Sequence, residues 1–180
     1  MTTIAIQGIR GSYSEEAAYQ VFGGEAQLIK CPSFDETFAA VQGGQSEFAI
    51  VPVRNSIVGE IATVVELLRK SGMSMLGEVS LKIHHVLAGT QNARIEDIVS
   101  VRSHREALKQ CSQFLDSRGD MTQIAGPDTA SSIRQVVDDG DPKHAAIGSL
   151  RAAAMCGAKV LLEKISDSPD NMTTFVLIGN

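Results

Sequence analysis

Short, nearly continuous apolar runs recur along the chain, separated by stretches in which apolar positions return every three or four residues. The runs are Ile4-Ala5-Ile6, Gln27-Leu28-Ile29, Phe48-Ala49-Ile50-Val51, Ile98-Val99-Ser100-Val101 and Ala145-Ala146-Ile147. Parallel strands are buried on both faces, so each run predicts such a strand. Between them, Phe34, Phe38 and Val41 share one helical face, as do Ile61, Val64, Val65 and Leu68, and also Leu108, Cys111 and Leu115. Three strand-to-helix junctions carry Ser followed three residues later by Glu: Ser12 with Glu15, Ser33 with Glu36, and Ser103 with Glu106. That spacing is a capping box, which satisfies the free N–H groups of a helix start. Asp128, ahead of Thr129-Ala130, is read as the N-cap of a further helix. The alternation of strand, cap and helix predicts an α/β fold, with no internal sequence repeat.

Parallel strands bring successive helix N-termini to one edge of a sheet, where free N–H groups and the helix dipole attract anions. Two segments depart from the alternation. Gly77 to Gly89 is one long extended run, and Val160 to Ile178 holds two more around a polar loop from Ser166 to Asn171. Read as crossings, they divide the chain into lobe 1, about 1–78 plus 168–180, and lobe 2, about 79–167, with a ligand cleft between.

Composition narrows the choice of ligand. The 180 residues are 43% hydrophobic and 21% charged, with mean hydropathy +0.03, as in soluble globular chains. A net charge of −5, no Trp and 4% aromatic residues argue against nucleic acid as partner. No window approaches the roughly 20 apolar residues of a membrane span, and the chain enters its first strand-like run at Ile4 without a basic stretch followed by a long apolar one, so a cytoplasmic protein without membrane contact is expected. Cys31, Cys111 and Cys156 are widely spaced and lack a C-x-x-C, which points to buried reduced thiols.

The polar residues at strand ends are the candidates for chemistry. Gly8-Ile9-Arg10-Gly11-Ser12-Tyr13-Ser14-Glu15 is a Gly-flanked turn into a capped helix, read either as a plain turn or as a backbone cradle for a ligand. It is neither G-x-G-x-x-G nor a phosphate loop ending in Gly-Lys-Ser, so no nucleotide cofactor is expected. Val51-Pro52-Val53-Arg54-Asn55-Ser56 ends an apolar strand in polar residues, where open sheets place ligand contacts. Ser103-His104 opens a helix. His84 and His85 on an extended run point to opposite faces, which excludes a shared metal and predicts one packed ring and one facing the cleft. Thr129 follows the Asp128 cap, and Asn171-Met172-Thr173-Thr174-Phe175 stands at the mouth of the last strand. The residues themselves lead to an α/β cleft for a small anion, lined by hydroxyls and amides.

In order and spacing, these segments resemble the prephenate dehydratase family. Its pattern Gly-x-x-Gly-(Thr/Ala)-(Phe/Tyr)-Ser-Glu is matched at Gly8 to Glu15, and its Val-Pro-Ile-Glu-Asn-Ser at Val51 to Ser56. Gly-Glu with Ile-His-His-x-Leu lies at Gly77 to Leu87, and Ser-His-x-x-Ala-Leu-x-Gln-Cys at Ser103 to Cys111. Asp128 to Ala130, Ala145 to Ala153 and Asn171 to Phe175 complete the set. The resemblance implies two Rossmann-like lobes around a hinged cleft, as in type 2 periplasmic binding proteins, in a homodimer or larger homo-oligomer. It also implies decarboxylation and dehydration of prephenate to phenylpyruvate without a cofactor or metal. Arogenate is the sibling substrate, and a decarboxylase that keeps the hydroxyl or a non-catalytic small-anion sensor are the alternatives. By that analogy Thr173 is catalytic, and Ser12, Ser14, Arg54, Asn55, Ser56, His85, Ser103, His104, Thr129, Asn171 and Phe175 form the binding shell.

Two positions differ from the family pattern. Arg54 stands where the pattern has Glu, and Thr174 where it has Arg. The swap suggests compensation, with Arg54 supplying the guanidinium absent at 174. Relatives of this kind also append a phenylalanine-binding ACT module; with Thr173 seven residues from the end of these 180, none is expected here.

Overall fold

The computed structural model describes residues 2–180. The chain forms two units by their internal contacts: one comprises the chain up to Ile9, Tyr13–Ile83 and Asp170–Asn180, the other Arg10–Ser12 and His84–Pro169.

The first unit contains β1 (Thr3–Gln7), α1 (Tyr13–Phe22), β2 (Gln27–Cys31), α2 (Phe34–Gln42), β3 (Phe48–Asn55), the two-residue β4 (Gly59–Glu60), α3 (Ala62–Ser71) and β5 (Ser74–Lys82). The second contains β6 (Val86–Gly89), β7 (Ser100–Ser103), α4 (Arg105–Lys109), α5 (Ser112–Ser117), β8 (Thr122–Ala125), α6 (Thr129–Asp139), β9 (His144–Gly148), α7 (Leu150–Cys156) and β10 (Lys159–Leu162). The final strand, β11 (Met172–Gly179), returns to the first unit.

Although no sequence repeat is visible, the two sheets share one order. The first runs β2-β1-β3-β11-β5 and the second β8-β7-β9-β6-β10. In each, the first three strands are parallel and the last two pairings are antiparallel. Each sheet is buried by its own helices. Ile4, Ile6, Ile50 and Phe175 pack on the α1 side, and Ala49, Val51, Val176 and Ile178 on the side of α2 and α3. In the second unit Val101, Ala145 and Ile147 meet Leu108, Cys111 and Leu115.

Several local expectations shift. The strand expected at 98–101 begins at Ser100, because Ile98 closes a short 3-10 turn, Ile95–Asp97, and is spent in the core. Strand β8 carries no apolar run; it is a sheet edge whose residues Thr122, Gln123 and Ala125 are exposed. The run from 77 to 89 breaks at Ile83–His85. Val65 is exposed, whereas its α3 companion Val64 is buried. The helix expected across Leu108, Cys111 and Leu115 is two short helices with a break at Gln110–Cys111. Ser103 is not a cap: His104 takes that role, its Nδ1 accepting the Glu106 N–H at 3.3 Å. Ser33 and Asp128 do cap α2 and α6.

Candidate active site

In the first unit, one extra residue decides which side chains meet. Strand β3 pairs with β11 as Val51↔Val176 and Pro52↔Phe175, then skips Val53, so that Arg54 faces Thr174 and Asn55 faces Thr173. Directly opposed residues share a sheet face, and a bulge shifts that alternation by one. Pro52 next to the bulge has no N–H to lose from the ladder. Without the extra residue, Arg54 would share the face of Ile50. With it, Asn55 reaches the face of Thr173 and Phe175.

Asn55 then organises the strand end. Its Oδ1 accepts the N–H groups of Ile57 and Val58 at 2.9 and 3.1 Å. Backbone N–H groups only donate, so the amide orientation is determined and the Nδ2 group faces the other way. There it donates to Asn171 Oδ1 at 2.7 Å and to Thr173 Oγ1 at 2.9 Å. Asn55, Asn171 and Thr173 are all buried. Ser56 is exposed and fastens the turn to β11: its Oγ donates to the Asp170 carbonyl and accepts the Met172 N–H. The Thr173 oxygen thus accepts a bond from Asn55, leaving its own proton to be donated elsewhere.

Other expected residues of this unit lie apart from that group. Arg54 is exposed on the opposite face, across from Thr174 on β11 and Glu60 on β4. Thr174 shares a hydrogen bond of 3.1 Å with Ser80. Phe175 is 2% exposed and belongs to the core. Ser14 is buried in the first turn of α1.

In the second unit, β7, β8 and β9 bring three helix starts to their carboxyl ends. Ser103 at the end of β7 is fully buried, and its Oγ donates to the Ile147 carbonyl at 2.7 Å. His104 is exposed beside it. Thr129 is the first residue of α6, whose cap Asp128 accepts the Ser131 N–H at 2.7 Å. Gly148 allows this approach: a Cβ there would stand 2.5 Å from Ile133 Cδ1 and 3.1 Å from the Thr129 carbonyl. Ser12 lies in the Arg10–Ser12 segment that belongs to this unit. Its neighbour Gly11 has φ +90°, accepts a bond from Ser149 Oγ at 3.2 Å, and would carry a Cβ only 2.8 Å from Ala152 Cα.

His85 is 3% exposed, while His84 is exposed, so one ring is packed as expected, though on a loop instead of a strand. His85 Nε2 lies 2.8 Å from Gln110 Oε1. Burial holds the ring below the usual histidine range and the His84 charge adds to that, while the Gln110 bond opposes it. Gln110 falls inside the Ser103 to Cys111 motif with no local signal for a role, and nothing in the sequence marks Asp167, whose carboxylate binds the Ser112 and Gln113 N–H groups beside it.

Two sheets of common order with polar residues at strand ends define a two-unit α/β protein with a periplasmic-binding-protein-like fold. The methionine-binding protein MetQ shares that fold, with TM-score 0.53 over 99% of the chain at 9% identity. The family described as prephenate dehydratase matches residues 4–180. A bifunctional chorismate mutase/prephenate dehydratase of Neisseria gonorrhoeae is 35% identical over 179 residues, covering 99% of this chain and 49% of that protein. Arogenate dehydratase/prephenate dehydratase 2 of Arabidopsis thaliana is 34% identical over 98% of this chain and 46% of its own length. The solved prephenate dehydratase of Arthrobacter aurescens, in complex with L-Phe, superposes with TM-score 0.91 at 28% identity, over 99% of this chain and 60% of that one. The chain belongs to the prephenate dehydratase family and spans about half the length of these curated relatives. No helix among the described residues is long and apolar enough to cross a membrane.

Proposed function

We propose that the chain is a carbon–oxygen lyase that converts prephenate to phenylpyruvate, carbon dioxide and water in phenylalanine synthesis. The observation that carries this reading is the buried Thr173 hydroxyl, whose oxygen accepts from Asn55 and so keeps its own proton for donation. In the reaction the ring carboxylate leaves as carbon dioxide. Its bonding electrons enter the ring, which becomes aromatic, and the ring hydroxyl departs with a proton as water. Aromatisation drives the step, so the protein needs chiefly to orient the substrate and stabilise the departing hydroxide. Thr173 donates its hydrogen bond to that oxygen as charge develops. The Asn55 amide, donating to Thr173 Oγ1, makes that donation stronger. Threonine is too weak an acid to give up its proton alone, so it polarises or relays from water.

His104 and Thr129 supply imidazole and helix N-terminal donors for carboxylates, while Ser103, whose hydroxyl proton goes to the Ile147 carbonyl, holds the strand end beside them. Ser12, Ser14, Ser56, His85 and Asn171 complete the shell of this reading. The enzyme works in the cytoplasm as a homodimer or larger assembly. Arogenate is a second substrate to test, because the chain is similar to an Arabidopsis protein named for both activities.

Incubation with prephenate and with arogenate at mildly alkaline pH, where neither aromatises spontaneously, decides among the readings. Phenylpyruvate from prephenate supports the proposal, and phenylalanine from arogenate moves the substrate. A non-aromatic keto acid would indicate decarboxylation alone, and tight binding without turnover a sensor; either result overturns the proposal.

A further inference from the structure

The apolar spacing of Leu108, Cys111 and Leu115 suits one continuous helix, and all three side chains do enter the same core. The helix is nevertheless interrupted: α4 ends at Lys109 and α5 begins at Ser112. Between those residues there is no proline or glycine to break it. The cause lies 55 residues away. Asp167 Oδ2 accepts the Ser112 N–H at 3.0 Å and the Ser112 hydroxyl at 2.7 Å, and Oδ1 accepts the Gln113 N–H at 3.0 Å. In a continuous helix those two N–H groups would bond to carbonyls four residues earlier. The Asp167 N–H in turn donates to the Gln110 carbonyl at 2.7 Å, which a continuous helix would also use.

Asp167 therefore holds both sides of the interruption. Gln110, at the interruption itself, points its Oε1 at His85 Nε2, 2.8 Å away. The carboxylate is close enough to Cys111 to help burial push that thiol up to about 12, which leaves the thiol protonated and inert within the core.

We infer that Asp167 is a positioning residue: by capping α5 it keeps the helix broken at Gln110 and so aims Gln110 at His85. The inference rests on the proposed dehydratase reading, in which His85 belongs to the substrate shell. Asp167→Asn leaves the size unchanged but puts an NH2 group where N–H donors need an acceptor. At least one of those bonds is lost, the break relaxes toward continuous helix, and Gln110 turns away.

The test combines nitrogen NMR of His85 at fixed neutral pH with a double-variant cycle in steady-state kinetics. Asp167→Asn should shift the His85 Nε2 signal as Gln110→Ala does, and Ser112→Ala, which removes a single bond, should shift it less. Each of Asp167→Asn and Gln110→Ala should raise KM about tenfold with little change in kcat, roughly the worth of one hydrogen bond. The double variant should be no worse than either single one, since both act on one contact. An unmoved His85 signal in Asp167→Asn, or KM effects that multiply in the double variant, would overturn the inference. If the unaltered chain made no phenylpyruvate, the dehydratase reading would fail by itself, and the His85 signal would still decide whether Asp167 acts through Gln110. Should Asp167→Asn not fold, the Ser112→Ala shift alone decides in the same sense.

Discussion

Replacing Asn55 with aspartate exchanges one NH2 group for oxygen and leaves the shape of the side chain intact. One carboxylate oxygen can still accept the Ile57 and Val58 N–H groups. The other then faces Asn171 Oδ1 from 2.7 Å and Thr173 Oγ1 from 2.9 Å, where the amide had donated twice. Against Asn171, two acceptors meet with no proton between them. Against Thr173, the only remedy is for the hydroxyl to turn and donate to the aspartate, which consumes the proton assigned to the substrate. Each buried group left without its partner costs about 1–3 kcal/mol, so a loss of about 3 kcal/mol overall is expected. For a chain of this size that corresponds to a fall in Tm of roughly 6–12 °C. Loss of one preorganised donor in an active site typically lowers kcat about 100- to 1000-fold, and kcat should fall by that much with a smaller change in KM. Phenylpyruvate formation, measured below the variant's Tm, is the assay. If Asn55→Asp melted earlier yet kept kcat within about threefold of the parent, the amide would be merely structural and the role given to Thr173 would be refuted.

Thr173→Ala should abolish dehydration while Thr173→Ser retains most of it, because the hydroxyl and not the methyl takes part; equal rates in the Ala variant would remove Thr173 from the reaction. Arg54→Glu should change kcat/KM by no more than about threefold, since Arg54 is exposed on the face away from Thr173. A crippled variant would instead support compensation, with Arg54, directly across the strands from Thr174, supplying the guanidinium absent there. His85 is held neutral chiefly by burial, its folded pKa lying below the ordinary 6.5, so the unfolded chain takes up its proton first as pH falls. Its contribution to stability should be complete above about pH 7 and decline as the pH falls below the ordinary 6.5, as a falling Tm that is flattened in His85→Gln. An identical pH profile in that variant would contradict the assignment.

Much of the site was legible because it is local. Strand-end polar residues follow apolar runs directly, and Ser33 and Asp128 cap helices from within their own turns. The resemblance likewise rests on ordered motifs such as Val51 to Ser56, and the family match over residues 4–180 bears it out. Ser103 shows where local reading ends. It stands three residues before Glu106, as a capping box requires, but its hydroxyl is engaged by the Ile147 carbonyl of a neighbouring strand, and His104 caps in its place.

By itself, then, the order of residues determined the family, the α/β alternation and the positions of the polar strand ends, because each depends on neighbours within a few residues. The tertiary structure alone decided which of those residues meet. A bulge at Val53, formed only by pairing with β11, separates Asn55 from Arg54 and joins it to Thr173. A carboxylate 55 residues away breaks a helix whose apolar period is unbroken. Both outcomes turn on hydrogen bonds between segments distant in sequence, to which periodicity and spacing are blind.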